Sequence, residues 1–304
     1  MTRPLVVFLA LAFGLSWAVA LPLWLGGGLG SPLLIALASL MMFTPSVGVL
    51  GVWALGRAPF RQWARESGLT LGERKGRTGR YVLGAWIGIP LLVFLALGLS
   101  VAAGLASLDL GGLGMMRALY ESRGVPVPAD LGRVFALQLV LGVVAGPLLK
   151  AIPALGEEWG WRGWLLPRLV SAHGVLAGLL LSGAIWGLWH APLTLLGYNY
   201  PRLGSWAALF FTGFCVLAGV LFGWLRLRTG SVWPAVVAHG SLNTVGPAAL
   251  MLGDPAAPPN EVLAGLTGLV GWALLAVVGA ALLRFAPARP PAPHAPAPAG
   301  EPVA

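Results

Sequence analysis

Apolar stretches of about the length of a membrane-spanning helix follow one another along almost the whole chain. Eight of them lie at about residues 4–26, 31–56, 81–106, 134–155, 174–198, 204–225, 231–252 and 262–285. An α-helix needs roughly 20 residues to cross the hydrocarbon core of a bilayer. Because 58% of the 304 residues are hydrophobic and only 10% are charged, a water-soluble fold would leave much of this apolar surface exposed. The sequence therefore predicts an all-α, polytopic membrane helix bundle with about eight transmembrane helices, formed by residues 1–286.

The basic residues decide between a nucleic-acid-binding protein and a membrane protein. The net charge is +9, from 17 arginines and two lysines against ten acidic residues. These basic residues lie in the gaps between apolar stretches, and residues 57–80 alone carry seven of them. On an eight-helix topology, 14 basic residues fall on the side of this loop and four on the other. The positive-inside rule then predicts a multi-pass protein of the inner (plasma) membrane with cytoplasmic N- and C-termini and no nucleic acid partner.

The two ends of the chain carry their own signals. The first apolar stretch begins after Arg3 and passes Ala18-Val19-Ala20, which is a plausible signal-peptide cleavage pattern. We expect this helix to be retained, because the apolar run continues to Trp24 and a second span follows almost at once. At the other end, residues 287–304 are rich in proline and alanine and are expected to form a disordered tail.

Ionisable side chains inside the apolar stretches are few, and each is costly to bury unless it is paired or hydrated. The segment from Gly156 to Arg162 is the strongest signal, because it places two adjacent carboxylates in apolar surroundings. Glu158 and Arg162 are four residues apart, so on a helix they share a face and can pair. Glu157 points about 100° away and has no local cation, which suits it to accept a proton from water. The alternative is that both acids reach water at the cytoplasmic end of the span, beside the neighbouring tryptophans.

Two further polar motifs lie in later apolar stretches. His190 follows Trp186 by four residues, and Asn243 follows His239 by four residues. On a helix each pair shares one face. Taken singly, either motif could be a hydrogen-bonded packing feature between helices. Three such features in a chain with few other buried polar groups predict one converging site.

The three motifs together resemble the CPBP intramembrane proteases, a family that includes the type II CAAX prenyl endopeptidases and bacteriocin-processing or immunity proteins. The family pattern is Glu-Glu-x-x-x-Arg, then an aromatic residue, usually Phe, shortly before a His, and then His-x-x-x-Asn. In this chain the three motifs begin at Glu157, Trp186 and His239, within a catalytic core of about residues 134–252. Trp186 in place of Phe is the one departure, and we expect it to affect packing rather than chemistry.

The resemblance implies a role for each matching residue. Glu157 would be the catalytic glutamate and His190 its partner at the water molecule. His239 and Asn243 would surround the scissile carbonyl oxygen. Glu158 and Arg162, with Trp186, would support these groups.

Two hydrolytic mechanisms fit these residues. In the first, Glu157 and His190 activate a water molecule directly, and His239 and Asn243 donate hydrogen bonds to the oxyanion. In the second, Glu157 or Glu158 holds a divalent metal such as zinc together with His190 and His239, and the metal-bound water attacks. The sequence has no His-Glu-x-x-His helix, and asparagine is a poor zinc ligand. We therefore favour the mechanism that needs no cofactor.

Straight helices would keep the candidate groups apart. Measured from the cytoplasmic ends of their spans, His239 lies about 12 Å deep and His190 about 24 Å deep. Glu157 would stay at the cytoplasmic edge. Either Pro147 and Pro153 break the fourth span and hold Glu157 inside the membrane, or the fifth span begins later than residue 174.

Three functions from different classes remain open on the sequence alone. The favoured one is an intramembrane endopeptidase that cleaves a peptide or membrane-protein substrate near the cytoplasmic face. A proton-coupled transporter would also use buried Glu and His, but it predicts polar residues spread along a path through several spans. The third is a catalytically silent immunity or scaffold protein of the bilayer. Abundant Arg, Ala, Gly and Pro with scarce Lys is typical of a GC-rich, bacterial genome, where a prenylated substrate is not expected.

Overall fold

The computed structural model describes residues 2–56 and 59–288, and its regular structure there is helical apart from one isolated bridge between Leu108 and Gly253. The first half of the chain forms α1 (Arg3–Leu25), α2 (Leu34–Met41), α3 (Thr44–Gly56), α4 (Phe60–Glu66), α5 (Lys75–Ala102), α6 (Gly114–Ser122) and α7 (Leu131–Val144). The second half forms α8 (Gly146–Leu149), α9 (Ala151–Glu158), a π-helix (Trp159–Leu165), α10 (Leu166–His173), α11 (Val175–Trp189), α12 (Ala191–Thr194), α13 (Ala207–Thr229), α14 (Trp233–Leu250) and α15 (Leu269–Phe285).

The apolar stretches of the sequence all contain helix, which confirms the all-helical membrane bundle. Within the described residues, the segments long and apolar enough to cross a membrane are Arg3–Leu25, Leu34–Gly56, Lys75–Ala102 and Gly204–Thr229. Shorter apolar helices are Leu131–Val144, Val175–Trp189 and Leu269–Phe285. Beyond Ala288, the predicted tail lies outside the described residues. Arg57 and Arg289 of the basic set also lie outside them.

The fourth predicted span is interrupted. The interruption removes the predicted conflict between the depths of Glu157, His190 and His239. α7 ends at Val144, and two short helices follow, each with a proline near its start, where the missing N–H costs nothing. The chain then stays helical through the π-helix and α10 instead of leaving the bundle near residue 155. π-Helical turns are rare in proteins as a whole, but those that occur are often found at functional sites. Glu157 therefore lies inside the bundle, whereas α11 begins at Val175, close to the expected residue 174.

Glycines bring the helices around the candidate residues into close contact. A Cβ at Gly183 of α11 would lie 2.7 Å from Cα of Val216 on α13, and one at Gly187 would lie 2.5 Å from Cα of Thr212. Gly160 of the π-helix packs against Pro45 of α3 in the same way. Small residues at such crossings let membrane helices approach backbone to backbone. The C-terminal end of α11 is thereby fixed against α13.

The first helix is part of this core. Phe8 is fully buried and stacks on Trp164 with ring centroids 4.6 Å apart. The carbonyl of Ala12 accepts hydrogen bonds from Thr44 Oγ1 at 3.0 Å and from Trp189 Nε1 at 3.2 Å. α1 therefore supports both α3 and the end of α11.

The two polar loops pack at opposite ends of α14. Trp233, at its start, donates from Nε1 to the carbonyl of Leu69 at 2.9 Å. Beyond its end, the amide of Asp254 donates to the carbonyl of Ser107 at 3.0 Å. Residues 59–74 and 107–133 are thus held on opposite sides of the bundle, as the predicted topology requires.

This arrangement predicts opposite labelling of two engineered cysteines. Glu73 and Ser122 are both exposed, whereas Cys215 is buried and is replaced by alanine as a precaution. An impermeant thiol reagent should label Glu73→Cys only from the cytoplasmic side and Ser122→Cys only from the far side. Labelling of both from one side of intact cells or oriented vesicles would contradict the eight-helix topology.

Candidate active site

The candidate residues come from separate helical segments that meet inside the bundle. Glu157 and Glu158 end α9, and Arg162 lies in the π-helix that follows directly. His190 caps the C-terminal end of α11, and His239 lies in the second turn of α14. Both acids and Arg162 are at most 2% exposed. The alternative in which the acids reach water at the membrane surface is therefore wrong.

Glu158 is the centre of a buried ionic network. Its Oε1 accepts one hydrogen bond from Arg162 Nη1 at 2.8 Å and another from His239 Nδ1 at 2.9 Å. The expected pairing of Glu158 with Arg162 is confirmed. The contact with His239 was not foreseen, because spacing within one helix says nothing about a residue 81 positions away. Glu158 therefore ties the π-helix to α14 and orients the imidazole of His239.

Glu157 has different partners from its neighbour. Its Oε2 accepts a hydrogen bond from Trp186 Nε1 at 2.7 Å, and His190 Nε2 lies 4.0 Å from the same oxygen. Among the residues that the structure describes, Glu157 forms no salt bridge with Arg or Lys. Our expectation that Trp186 affects packing only is wrong, because its indole N–H bonds directly to this carboxylate. Phenylalanine has no such donor.

His190 is held in one orientation and is partly open to solvent. Its Nδ1 lies 2.9 Å from the carbonyl of Trp186, which can only accept, so Nδ1 carries the proton. In the neutral imidazole this leaves Nε2 as a base that faces Glu157. The side chain is 16% exposed against 2% for Glu157. His190 is therefore the more accessible member of this pair.

Aromatic rings enclose the charged groups. The Arg162 guanidinium lies 4.0 Å from the ring centroid of Trp186 and 5.3 Å from that of Phe222. The imidazole of His239 lies between the same two rings, at 5.6 and 5.8 Å. Phe222 was missed by the sequence analysis, because nothing distinguishes it from other apolar residues of its span. Phe222 is buried and packs beside Arg162 and His239 on the side of α13.

Asn243 lies one turn beyond His239 on α14 and is half-buried. Its spacing puts it on the same helical face as His239. Its side chain has no hydrogen-bond partner among the described residues. The structure does not link Asn243 to Glu157 or His190 by contact. Its amide N–H groups are thus free to bind a ligand at this face of α14.

Glutamate and histidine side chains are also common ligands of metal ions. Across residues 2–56 and 59–288, no group of three His, Cys, Asp or Glu side chains is close enough to hold a metal. Glu157 and His190 approach each other, but Nδ1 of His239 is turned to Glu158. The zinc set of Glu157, His190 and His239 does not converge in this arrangement. We therefore derive no step through zinc.

Comparison with known proteins matches the part of the chain that contains these residues. Residues 133–245 match the family model described as type II CAAX prenyl endopeptidase Rce1-like. The resemblance to this family is confirmed over that segment. The matched segment includes every candidate residue named above. The chain is also 29% identical over 100 residues to CAAX prenyl protease 2 of Methanococcus maripaludis. That alignment covers 31% of this chain and 37% of its relative's length.

Proposed function

We propose that this protein is an intramembrane endopeptidase that hydrolyses a peptide bond of a membrane-associated substrate near the cytoplasmic face. The observation that carries the proposal is the pair formed by Glu157 Oε2 and His190 Nε2, which face each other 4.0 Å apart in a buried site lined by aromatic rings. This separation would let one water molecule bond to both atoms at ordinary hydrogen-bond lengths. The family match over residues 133–245 supports the same activity.

In the proposed reaction, the bound water attacks the scissile carbonyl carbon while Glu157 accepts its proton, assisted by His190. The carbonyl π electrons move onto oxygen, which becomes an oxyanion. Collapse of this tetrahedral intermediate breaks the C–N bond, and the proton held at Glu157 passes to the leaving amine. The products are one carboxylic acid and one amine, which ionise in water to carboxylate and ammonium, and no cofactor is consumed. Positioned general bases of this kind typically contribute 10²–10⁴-fold to the rate.

His239 and Asn243 are proposed to donate hydrogen bonds to the oxyanion. Because Nδ1 of His239 already donates to Glu158, the imidazole must be protonated on both nitrogens in order to donate from Nε2. With His239 charged, the two carboxylates, Arg162 and His239 together carry no net charge. A neutral sum favours burial of all four groups in a medium of low dielectric. The unpartnered amide of Asn243 supplies the second donor.

The depth of the site supports cleavage near the cytoplasmic face. Ser46 donates to the carbonyl of Gly156 at 2.7 Å and lies ten residues from the end of α3 at Gly56. His239 lies six residues from the start of α14 at Trp233. At about 1.5 Å per residue, these distances are about 15 Å and about 9 Å from the side expected to be cytoplasmic. A hydrocarbon core is about 30 Å thick.

Cleavage of membrane-anchored peptides tests this proposal. Protein in proteoliposomes is incubated with a library of lipid-anchored peptides, including prenylated ones because the relative is a CAAX prenyl protease. New peptide termini are then identified by mass spectrometry. We expect cleavage by the wild type and none by Glu157→Gln. Proton flux that depends on Glu157 and His190, without cleavage of any peptide, would instead identify a transporter.

Trp186→Phe is expected to lower kcat by roughly tenfold or more with little change in KM. The ring is preserved, but the charge-assisted hydrogen bond that fixes the Glu157 carboxylate is lost, and such bonds contribute about 1.5–3 kcal/mol. Trp233→Phe is the matched control, because it removes a similar indole bond, to Leu69, away from the site. It should leave kcat unchanged. A Trp186→Phe enzyme with wild-type kcat would show that Trp186 contributes only packing and that its hydrogen bond to Glu157 does not affect catalysis.

A further inference from the structure

A cavity separate from the candidate active site lies along α13. It is a groove of about 720 Å³ between α5, α13 and α15. Leu221, Trp224 and Leu225 of α13 line it, whereas Phe222 points to the candidate active site. None of the candidate catalytic residues lines this groove. Its occupant is therefore not the peptide at the scissile bond.

The walls of the groove are suited to an alkyl chain. Along α5 they are formed by aliphatic side chains such as Ile89 and Leu92, with Leu91 and Leu95 exposed at the rim. The groove also passes Gly88, where an added Cβ would find no atom within 4 Å. Open space over this glycine leaves the length of the groove clear. Because the rim is apolar and exposed, the groove opens toward the hydrocarbon of the bilayer.

One end of the groove is cationic. Arg77, Arg80 and Arg228 line it together with Tyr81, and no Asp or Glu is among its lining residues. Arg228 Nε donates to Tyr81 Oη at 3.1 Å, and the Arg77 guanidinium lies 5.8 Å from the same ring. None of the three arginines forms a salt bridge within the part of the chain that the structure describes. Three guanidinium groups without a carboxylate form a site for an anion.

We propose that this groove binds an anionic glycerophospholipid. The arginines hold the phosphate of its head group, and one acyl chain lies along α5 past Gly88. The apolar walls alone would accept any lipid, but the uncompensated arginines select a net negative head group over a zwitterionic one. Basic pockets at the cytoplasmic ends of membrane helices bind anionic head groups in this way. The cationic end adjoins the loop at residues 59–74, which is predicted to face the cytoplasm, where anionic lipids are concentrated.

Native mass spectrometry of the detergent-purified protein tests the proposal directly. The probes are phosphatidylglycerol and phosphatidylcholine with identical acyl chains. We expect wild-type protein to retain phosphatidylglycerol at least tenfold more tightly, as three nearby cations imply. Soluble glycerophosphoglycerol, which has the head group without the chains, should not compete at the same concentration. Equal binding of the two lipids, or full competition by the chain-free head group, would overturn the proposal.

Paired variants locate the bound lipid. Arg77→Gln with Arg80→Gln should weaken phosphatidylglycerol binding by roughly thirtyfold. The control removes two charges that neighbour these residues in the sequence but do not line the groove, through Arg74→Gln with Lys75→Gln. This control should bind like the wild type. Wild-type binding by the Arg77/Arg80 variant, or an equal loss in the control, would place the lipid elsewhere.

Blocking the groove tests the acyl-chain half of the proposal. Gly88→Leu has room to be accommodated and fills the groove, so it should abolish retention of phosphatidylglycerol. Gly98→Leu on the same helix, which also meets no neighbour and does not line the groove, should have no effect. Thermal stability in detergent without added lipid confirms that both variants are folded. A folded Gly88→Leu protein that still retains the lipid would contradict the assignment.

Discussion

Glu157→Gln should lower the rate of peptide cleavage by about a thousandfold or more and leave the protein folded. The amide cannot accept a proton from water, so the proposed general base is lost. The fold should survive, because the side-chain carbonyl of glutamine still accepts the hydrogen bond from Trp186. Turnover of an identified peptide and thermal stability in detergent are measured on the same preparation. Cleavage near the wild-type rate would show that Glu157 is not the base.

Glu158→Gln is the matched control, because it makes the same change at the next residue. Here the loss of charge leaves Arg162 buried without its partner and weakens the bond to His239. Breaking a buried ion pair typically costs about 3–5 kcal/mol. We therefore expect a clear fall in thermal stability, together with lower activity. A Glu158→Gln protein as stable as Glu157→Gln would contradict the different roles assigned to the two acids.

Asn243→Ala should lower kcat by roughly a hundredfold or more with little change in KM. A donor to the oxyanion strengthens its bond only when charge develops on the carbonyl oxygen, so ground-state binding is hardly affected. The fold should be preserved, because the side chain of Asn243 has no hydrogen-bond partner among the described residues. Steady-state kinetics on an identified peptide measures both constants. A large rise in KM with unchanged kcat would make Asn243 a substrate-binding residue instead.

Metal content separates the favoured mechanism from the zinc alternative. If water is activated by Glu157 and His190 alone, the enzyme should keep full activity after exhaustive chelation, and elemental analysis should find no bound metal. Asn243→Ala should not change the metal content in either case. Stoichiometric zinc that is lost in His239→Ala would overturn the favoured mechanism, because two remaining ligands rarely hold zinc.

Much of the fold could be predicted from the sequence, because a bilayer imposes one simple rule on span length. The apolar stretches at 4–26 and 204–225 correspond to helices at Arg3–Leu25 and Ala207–Thr229. The partnership of Glu158 and Arg162 also follows from local spacing, since both lie in one continuous helical run. These features depend only on residues close together in the chain.

The features that complete the site depend on distant residues and could not be predicted. The π-helix at Trp159–Leu165 arises where the chain packs tightly against α3 at Pro45, and no sequence period signals it. Likewise, the bond from Trp186 to Glu157 joins residues 29 positions apart. The family pattern, with Phe at this position, suggested packing alone. The tertiary structure is needed to show that the exchange to tryptophan adds a donor to the candidate catalytic carboxylate.

Single-turnover cleavage in ¹⁸O-labelled water tests the central claim, that Glu157 activates water for direct attack on a peptide. An excess of enzyme over an identified peptide is used, and both are analysed by mass spectrometry. If Glu157 activates water, the new C-terminal carboxylate of the peptide should carry one ¹⁸O atom, Glu157 should carry none, and Glu157→Gln should give no labelled product. Incorporation of ¹⁸O into the Glu157 side chain would contradict the account, because it would mean that this carboxylate attacks the peptide itself.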